Sequence, residues 1–393
     1  MLDIASIATE IERQRRQFPG LADKVYFNFG GQGILPRTGF DAIVEAHRYL
    51  EEHGPFSARV NDWITERTEL LRRETARSLG VEPRTLSITE DVTVGCNIPL
   101  WGIEWRSNDH ILLTDCEHPG IIATVQEIAR RFSVEFSFCP ILETLNGGDP
   151  VAVIERYLQP NTRLLVLSHV LWNTGQVLPL REISRLCHQQ TRSVLVLVDA
   201  AQSVGCLDLN LSELEADFYA FTGHKWWCGP AGVGGLYVRP EAFESLSPTF
   251  IGWRGIDMDE SGRPIAFKKD GRRFEVATSA YPLFEGLRAS IAVHETFADA
   301  KQRTDRVVQL AGYLWGELGA IDKVHCLKNS PPESGLVSFV VEGANPNQLV
   351  RELEKRGFFL RTIRDPLCIR ACVHYFTLPS EIDRLVGEIR ALM

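Results

Sequence analysis

No stretch of the 393-residue sequence is apolar for long enough to cross a bilayer; the longest runs, such as 164–167 and 194–198, have the length of strands. No membrane segment is expected. Blocks of basic residues are also missing: 42 Lys and Arg stand against 51 Asp and Glu, a formal charge of −9. Without a phosphate-tracking stripe, nucleic acid is not an expected partner. The nine cysteines are odd in number and include no CxxC pair, and the opening MLDIASIATEIERQRRQFPG lacks the charged-then-apolar layout of a signal peptide. Both absences point to a reducing cytoplasm. Repeats and low-complexity tracts are absent too. What remains is ordinary globular usage, 44% hydrophobic and 24% charged, with length for one large domain and a smaller one.

Apolar residues recur at helical spacing over 58–79 (Val60, Trp63, Ile64, Leu70, Leu71, Leu79) and stop at Gly80, suited to a left-handed cap. Beyond this helix, short β-rich runs at 85–89, 110–114, 134–138, 163–169, 194–199, 218–221 and 234–238 alternate with helix-like pieces at 121–131, 151–158 and 180–189. Runs such as LLVLSHV and SVLVLVDA are apolar throughout, as in strands covered on both faces. The pattern predicts an α/β fold with a mainly parallel sheet flanked by helices, where ligands sit outside the carboxyl ends of the strands. A Gly-, Pro- and charge-rich loop at 252–273 interrupts the alternation. A long helical stretch at 286–319 and a short α+β region follow, so a boundary is expected near 255–275, with the first thirty or so residues packing on the C-terminal part.

Several polar residues close these strands. Asp199 ends SVLVLVD, and a carboxylate there needs a partner; it reads either as a helix N-cap or as an anion facing a protonated ring nitrogen. Lys225, in FTGHKWWCGP, lies just past the next strand beside two tryptophans. Burial would depress its pKa, and a neutral amine can form a Schiff base with a carbonyl. Thr93 opens a helix-like segment after 85–89, so it reads as a cap or, together with Thr222 and His224, as part of a phosphate cradle. His118, in TDCEHPG, is a turn histidine or a catalytic imidazole that stacks on a flat cofactor and moves protons near neutral pH. Asn173, in SHVLWNTG, is a turn residue or a donor to a phenolate oxygen. Gln202 follows Asp199 at the same strand end.

The pieces ITEDVTVGCN, EHPG, SHVLWNTG, VLVLVDAAQSVG, FTGHKWWCGPAGVGGLYVR, FEVATSA and IRACVHYFTLPSEIDRL occur in an order and spacing that resembles the class V, cysteine desulfurase-like branch of the fold-type I pyridoxal 5′-phosphate (PLP) enzymes. The resemblance implies a large PLP-binding α/β domain over 28–262 and a small α+β domain from 1–27 and 263–393. It implies that Lys225 holds the cofactor covalently, that Asp199 partners its ring nitrogen, and that His118 stacks over the ring. Asn173 and Gln202 would bond the phenolate oxygen. Val92 (through its backbone), Thr93, Thr222 and His224 would cradle the phosphate. Thr278 would reach the phosphate of a neighbouring subunit, which implies a homodimer with two shared sites. Arg370 matches the arginine that takes the substrate carboxylate. Arg361 is either a second carboxylate receiver, for the distal end of a long diamino-dicarboxylate, or a surface arginine; Arg364 reads as surface.

Cysteine desulfurases carry a nucleophilic cysteine on a mobile loop shortly before that arginine, and here RTIRDPLCIRACV is short and has none. Cys368, two residues before Arg370, is expected in a strand as core or pocket wall. Without the nucleophile, elimination is the easier route for a sulfur amino acid. The expected activity is therefore a C–S lyase acting on L-cystine, and more weakly on L-cysteine, with pyruvate, ammonia and a persulfide or sulfide as products. The alternatives are a desulfurase that forms alanine, with a possible sulfur acceptor, and a non-catalytic iron–sulfur assembly scaffold.

Overall fold

The computed structural model describes residues 4–393. Its centre is a seven-stranded sheet in the order Leu86–Thr89, Gly234–Val238, Phe218–Thr222, Leu195–Asp199, Thr162–Ser168, His110–Thr114, Glu135–Cys139. Gly234–Val238 runs antiparallel to both neighbours, and all other pairings are parallel. Successive residues of a strand point to opposite faces. Leu165 and Leu167 accordingly enter one core while Leu164 and Val166 enter another, which is why the run is apolar at every position.

The helix Ala58–Leu79 begins where Ser57 accepts the Val60 N–H and ends at Gly80, whose φ of 68° is the left-handed conformation that glycine adopts without strain. Pro119–Phe132, Pro150–Tyr157 and Leu180–His188 are the other helix-like pieces of the sequence. The expected continuous helical stretch at 286–319 is instead two helices, Tyr281–Phe297 and Ala300–Gly319. Asp299 separates them with a capping box in which its side chain accepts from Gln302 N and the Gln302 side chain takes the Asp299 N–H. The expected loop at 252–273 contains a two-stranded hairpin, Ile256–Met258 with Pro264–Phe267.

A second, antiparallel sheet has the order Val324–Cys326, Leu336–Val341, Leu367–Cys372, Arg361–Arg364. Its core takes in Val25 and Phe27 as well as the helices Ala300–Gly319 and Pro379–Leu392. Val25–Tyr26 pairs in parallel with Phe358–Phe359, and Arg15 bonds both carboxylate oxygens of Glu381. Among the described residues no helix is long and apolar enough to cross a membrane.

Candidate active site

A cavity of about 250 Å³ lies at the carboxyl ends of the parallel strands and is closed on one side by the second sheet. Val92, Thr93, His118, Asp199, Gln202, His224, Lys225, Arg361 and Arg370 all line it. The strand ends supply the titratable groups, and the second sheet supplies the two arginines. Arg361 and Arg370 stand directly opposite in the register of their strands, so their side chains share a face.

Lys225 comes just after the strand Phe218–Thr222, and burial pushes its pKa down to about 8; the Asp199 carboxylate opposes that shift, and Arg370 and Arg361 add to it. At pH ~7.5 about a quarter of such amines are neutral, against about one in a thousand for an ordinary lysine. Asp199 is buried and accepts the Ala201 N–H at 2.9 Å. No helix succeeds it, so the carboxylate caps a turn and faces the cavity.

His118 is the N-cap of Pro119–Phe132, its Nδ1 accepting from Gly120 N at 3.2 Å. An acceptor nitrogen is unprotonated, and burial lowers the ring's pKa in the same direction, with Lys225 and Arg361 adding and Asp199 opposing. At the other end of the cavity, Asp91 caps the helix Val92–Gly102 by accepting from Val94 N. Thr93 is therefore a first-turn residue rather than the cap, and amides of that turn have no helical acceptor. Thr222 Oγ1 lies 2.6 Å from His224 Nδ1. An anion such as a phosphate suits this end, and a protonated ring nitrogen suits the Asp199 end.

Two of the sequence-derived residues lie outside the lining of this cavity besides Thr222. Asn173 is buried and gives its Nδ2 to Asp365 O at 3.2 Å, while its Oδ1 has no partner. Thr278 is exposed and lines a separate, largely apolar hollow of about 570 Å³, to which Thr93 also contributes. Gln202 holds Gly30 O through Nε2 and receives the Trp226 indole N–H. Arg370 is buried, donates Nη1 to Trp172 O at 2.7 Å, and keeps its Nε without a partner. Arg370 lines the cavity, and its planar guanidinium offers the paired donors that suit a carboxylate. Arg364 and Cys368 do not line the cavity; Cys368 is buried and pushed by burial up to about 11.

Among the lining residues that sequence reasoning passed over are Trp172, Gly30 and Ser168. Trp172 stands edge-on to His118, ring centres 5.8 Å apart. Gly30 is a glycine because a Cβ there would sit 2.9 Å from Cys372 Sγ and 3.0 Å from both Arg370 Nη2 and Gln202 Oε1. The Gly-Gly pair in FNFGGQG was the available signal. Ser168 ends the strand beside Asp199 and binds Glu117 through both N–H and Oγ.

Glu117 is buried beneath this site, with Thr114 Oγ1 2.5 Å from its Oε1. Burial raises its pKa to about 8, the Thr114 hydrogen bond opposing and the Asp199 charge adding. The folded protein thus keeps a proton that the unfolded chain releases near the ordinary carboxyl value of 4.5. Stability carried by this group falls as pH rises between those two values and is flat above the higher one. Glu117→Gln, which mimics the neutral acid, is expected to flatten the difference in urea midpoint between about pH 5 and about pH 8. An unchanged difference would leave Glu117 without this role.

Comparison with known proteins places these residues in context. The cystine C-S lyase C-DES, in complex with its reaction product cysteine persulfide, is 50% identical with a TM-score of 0.94, over 95% of this chain and 99% of that one. A mutant of C-DES with glycine covalently linked to its PLP cofactor matches with the same identity and TM-score over 96% and 98%. Isopenicillin N epimerase of Streptomyces clavuligerus is 29% identical over 94% of both chains. A probable cysteine desulfurase of Xylella fastidiosa (strain 9a5c) is 27% identical over 96% of this chain and 94% of its own. The Aminotransferase class-V family model matches residues 47–382. The chain belongs to the aminotransferase class-V family.

Proposed function

We propose that the protein is a PLP-dependent carbon–sulfur lyase that cleaves L-cystine, and more weakly L-cysteine, to pyruvate, ammonia and a persulfide or sulfide. One observation carries this reading: a partly neutral lysine, a buried carboxylate and two cross-strand arginines share one cavity, in a chain 50% identical to a cystine C-S lyase. When bound, PLP supplies the electron sink that lets bonds at the substrate's Cα and Cβ break.

The residues present fit that cofactor at both ends. Asp199 would hold the ring nitrogen, His118 would cover the ring, Gln202 would serve the phenolate oxygen, joined by Asn173 once its Nδ2 exchanges Asp365 O for that oxygen, and Val92, Thr93, Thr222 and His224 would serve the phosphate. Lys225 would hold the cofactor and then act as a base. Its neutral Nζ takes the proton from the substrate's Cα, the Cβ–S bond breaks, and the sulfur leaves with the bonding pair. From cystine the leaving group is a persulfide, a better one than the thiolate expelled from cysteine, so cystine is the faster substrate. Released aminoacrylate then hydrolyses to pyruvate and ammonia. Arg370 would receive the α-carboxylate, and Arg361 the distal one.

The same reading divides the chain into a large domain over 28–262 and a small one from 1–27 and 263–393. It makes the protein a homodimer in which Thr278 reaches the partner's phosphate. Exposed Phe250 and Val276, which line the same hollow as Thr278, and exposed Ile251 and Trp253, close to Phe250 in sequence, support that surface. Nine unpaired cysteines support a cytoplasmic location. A released persulfide would pass to a sulfur acceptor.

The second reading is a desulfurase, favoured by the desulfurase relative but opposed by Cys368, which is buried in a strand with a raised pKa. Product analysis separates the two. With L-cystine the expected products are pyruvate and sulfane sulfur in equal amounts; alanine as the main product would sink the lyase reading.

A further inference from the structure

Outside the cavity, the turn that carries Lys225 is held by side chains from distant segments. His374 Nε2 lies 2.9 Å from Trp226 O, and His294 Nε2 lies 2.9 Å from Trp227 O. Ser290 Oγ, one helical turn before His294, lies 3.3 Å from Cys228 O, but its single hydrogen is directed to the nearer Gly286 O at 2.9 Å. The two carbonyls that follow the lysine are thus each fixed by a histidine. The turn also closes on itself, with Cys228 N donating to Lys225 O, and Gly33 N donates to His224 O.

A nitrogen facing a carbonyl must donate, so each imidazole carries a proton on Nε2, and burial, which disfavours the charged ring, leaves Nδ1 unprotonated. His294 Nδ1 accepts the Tyr375 hydroxyl at 2.9 Å, and His374 Nδ1 has no partner. Both rings are fully buried, and burial pushes His294 down to about 3 and His374 well below the ordinary histidine value. The clamp does not titrate in the physiological range.

Cys228 offers a third metal-type donor within 4.8 Å of these histidines. A metal there would displace the Tyr375 hydroxyl from His294 and draw a proton from a thiol that burial holds far above its ordinary value. Two ring N–H groups each seated on a carbonyl of the lysine turn are accounted for without an ion.

The segment between Arg370 and His374 is itself fastened. Cys372 N donates to Phe27 O, Val373 N to Gly335 O, and His374 N to Thr377 Oγ1. The arginine at the cavity and the histidine behind the lysine therefore belong to one rigid stretch. We propose that His374, backed by His294, is a positioning residue that fixes Lys225 from outside the cavity and ties its placement to that of Arg370. The inference rests on the lyase reading only in taking Lys225 as the reactive amine.

His374→Leu and His374→Gln test it in the holoenzyme. Gln places an amide N–H near the position of Nε2, and Leu places none. A small misplacement of a reacting group costs about 10²-fold, so His374→Leu is expected to lower kcat on L-cystine by about that factor with KM within about threefold. The pH midpoint of the visible absorbance band is expected to move with it. His374→Gln is expected to keep kcat within about threefold and the midpoint unchanged. Equal behaviour of Leu and Gln would overturn the proposal, as would one equivalent of metal in the purified protein that His374→Leu lacks. If His374→Leu does not fold, His294→Leu and His294→Gln carry the same comparison; should neither Leu variant fold, a Gln variant that melts like the parent yet loses about 10² in kcat overturns it. The absorbance titration does not depend on the substrate. Absence of pyruvate from L-cystine would end the lyase reading and leave the clamp to be decided by the band.

Discussion

Lys225→Ala is expected to lower pyruvate formation from L-cystine by about 10⁴-fold and to remove the yellow absorbance of the purified protein. That factor corresponds to about 5.5 kcal/mol of transition-state stabilisation. No other amine lines the cavity among the described residues. The two histidines there, His118 and His224, are engaged with Gly120 N and Thr222 Oγ1, and burial lowers both rings' pKa. With pKa values below the ordinary histidine value, either ring is a weaker base for the Cα proton than the lysine. The substitution leaves the turn intact because its carbonyls are held by His374 and His294, through bonds that do not involve the lysine side chain. The melting temperature should therefore hold while turnover is lost, and an added small primary amine should restore part of the rate. A variant that kept both the colour and the turnover would remove Lys225 from the chemistry, and with it the lyase reading.

The strands and the polar residues that end them were legible because a sheet covered on both faces needs uninterrupted apolar runs, and the first polar residue after each run marks its carboxyl end. Other features lack such a mark. The residues of the strand Pro264–Phe267 are all exposed, so nothing in their pattern separates the hairpin from a loop. The break at Asp299 lies between two stretches that are both helical in pattern, and only the Asp299 and Gln302 spacing signals it. In SHVLWNTG the titratable and amide groups drew attention to Asn173. The turn closed by Gly175 N on Leu171 O instead puts Trp172 at the cavity and Asn173 against Asp365. Which of two neighbouring side chains faces a site depends on that local turn, and residue type alone does not encode it.

Arg370→Leu is expected to reduce kcat/KM for L-cystine and L-cysteine alike by about 10² to 10³, since losing one partner of a buried, hydrogen-bonded charge pair costs about 3–4 kcal/mol. The guanidinium is held before any substrate arrives: Nη1 is fixed on Trp172 O, and Nε is left unpartnered. Arg370→Lys should recover little, because an ammonium cannot offer two parallel donors to a carboxylate. Removing the charge also relieves one of the influences that depress Lys225, so the lysine's pKa should rise and its neutral fraction shrink. Arg361 separates binding of one carboxylate from binding of two. It faces the same cavity from the opposite strand but is more exposed, and Arg361→Leu should raise KM for cystine while leaving cysteine nearly unchanged. An equal loss with both substrates would assign Arg361 to the same carboxylate as Arg370. No loss with either would return it to the surface. Because both arginines depress Lys225, the two variants must be compared at a pH well above that lysine's pKa, where any remaining difference between substrates reflects carboxylate binding alone.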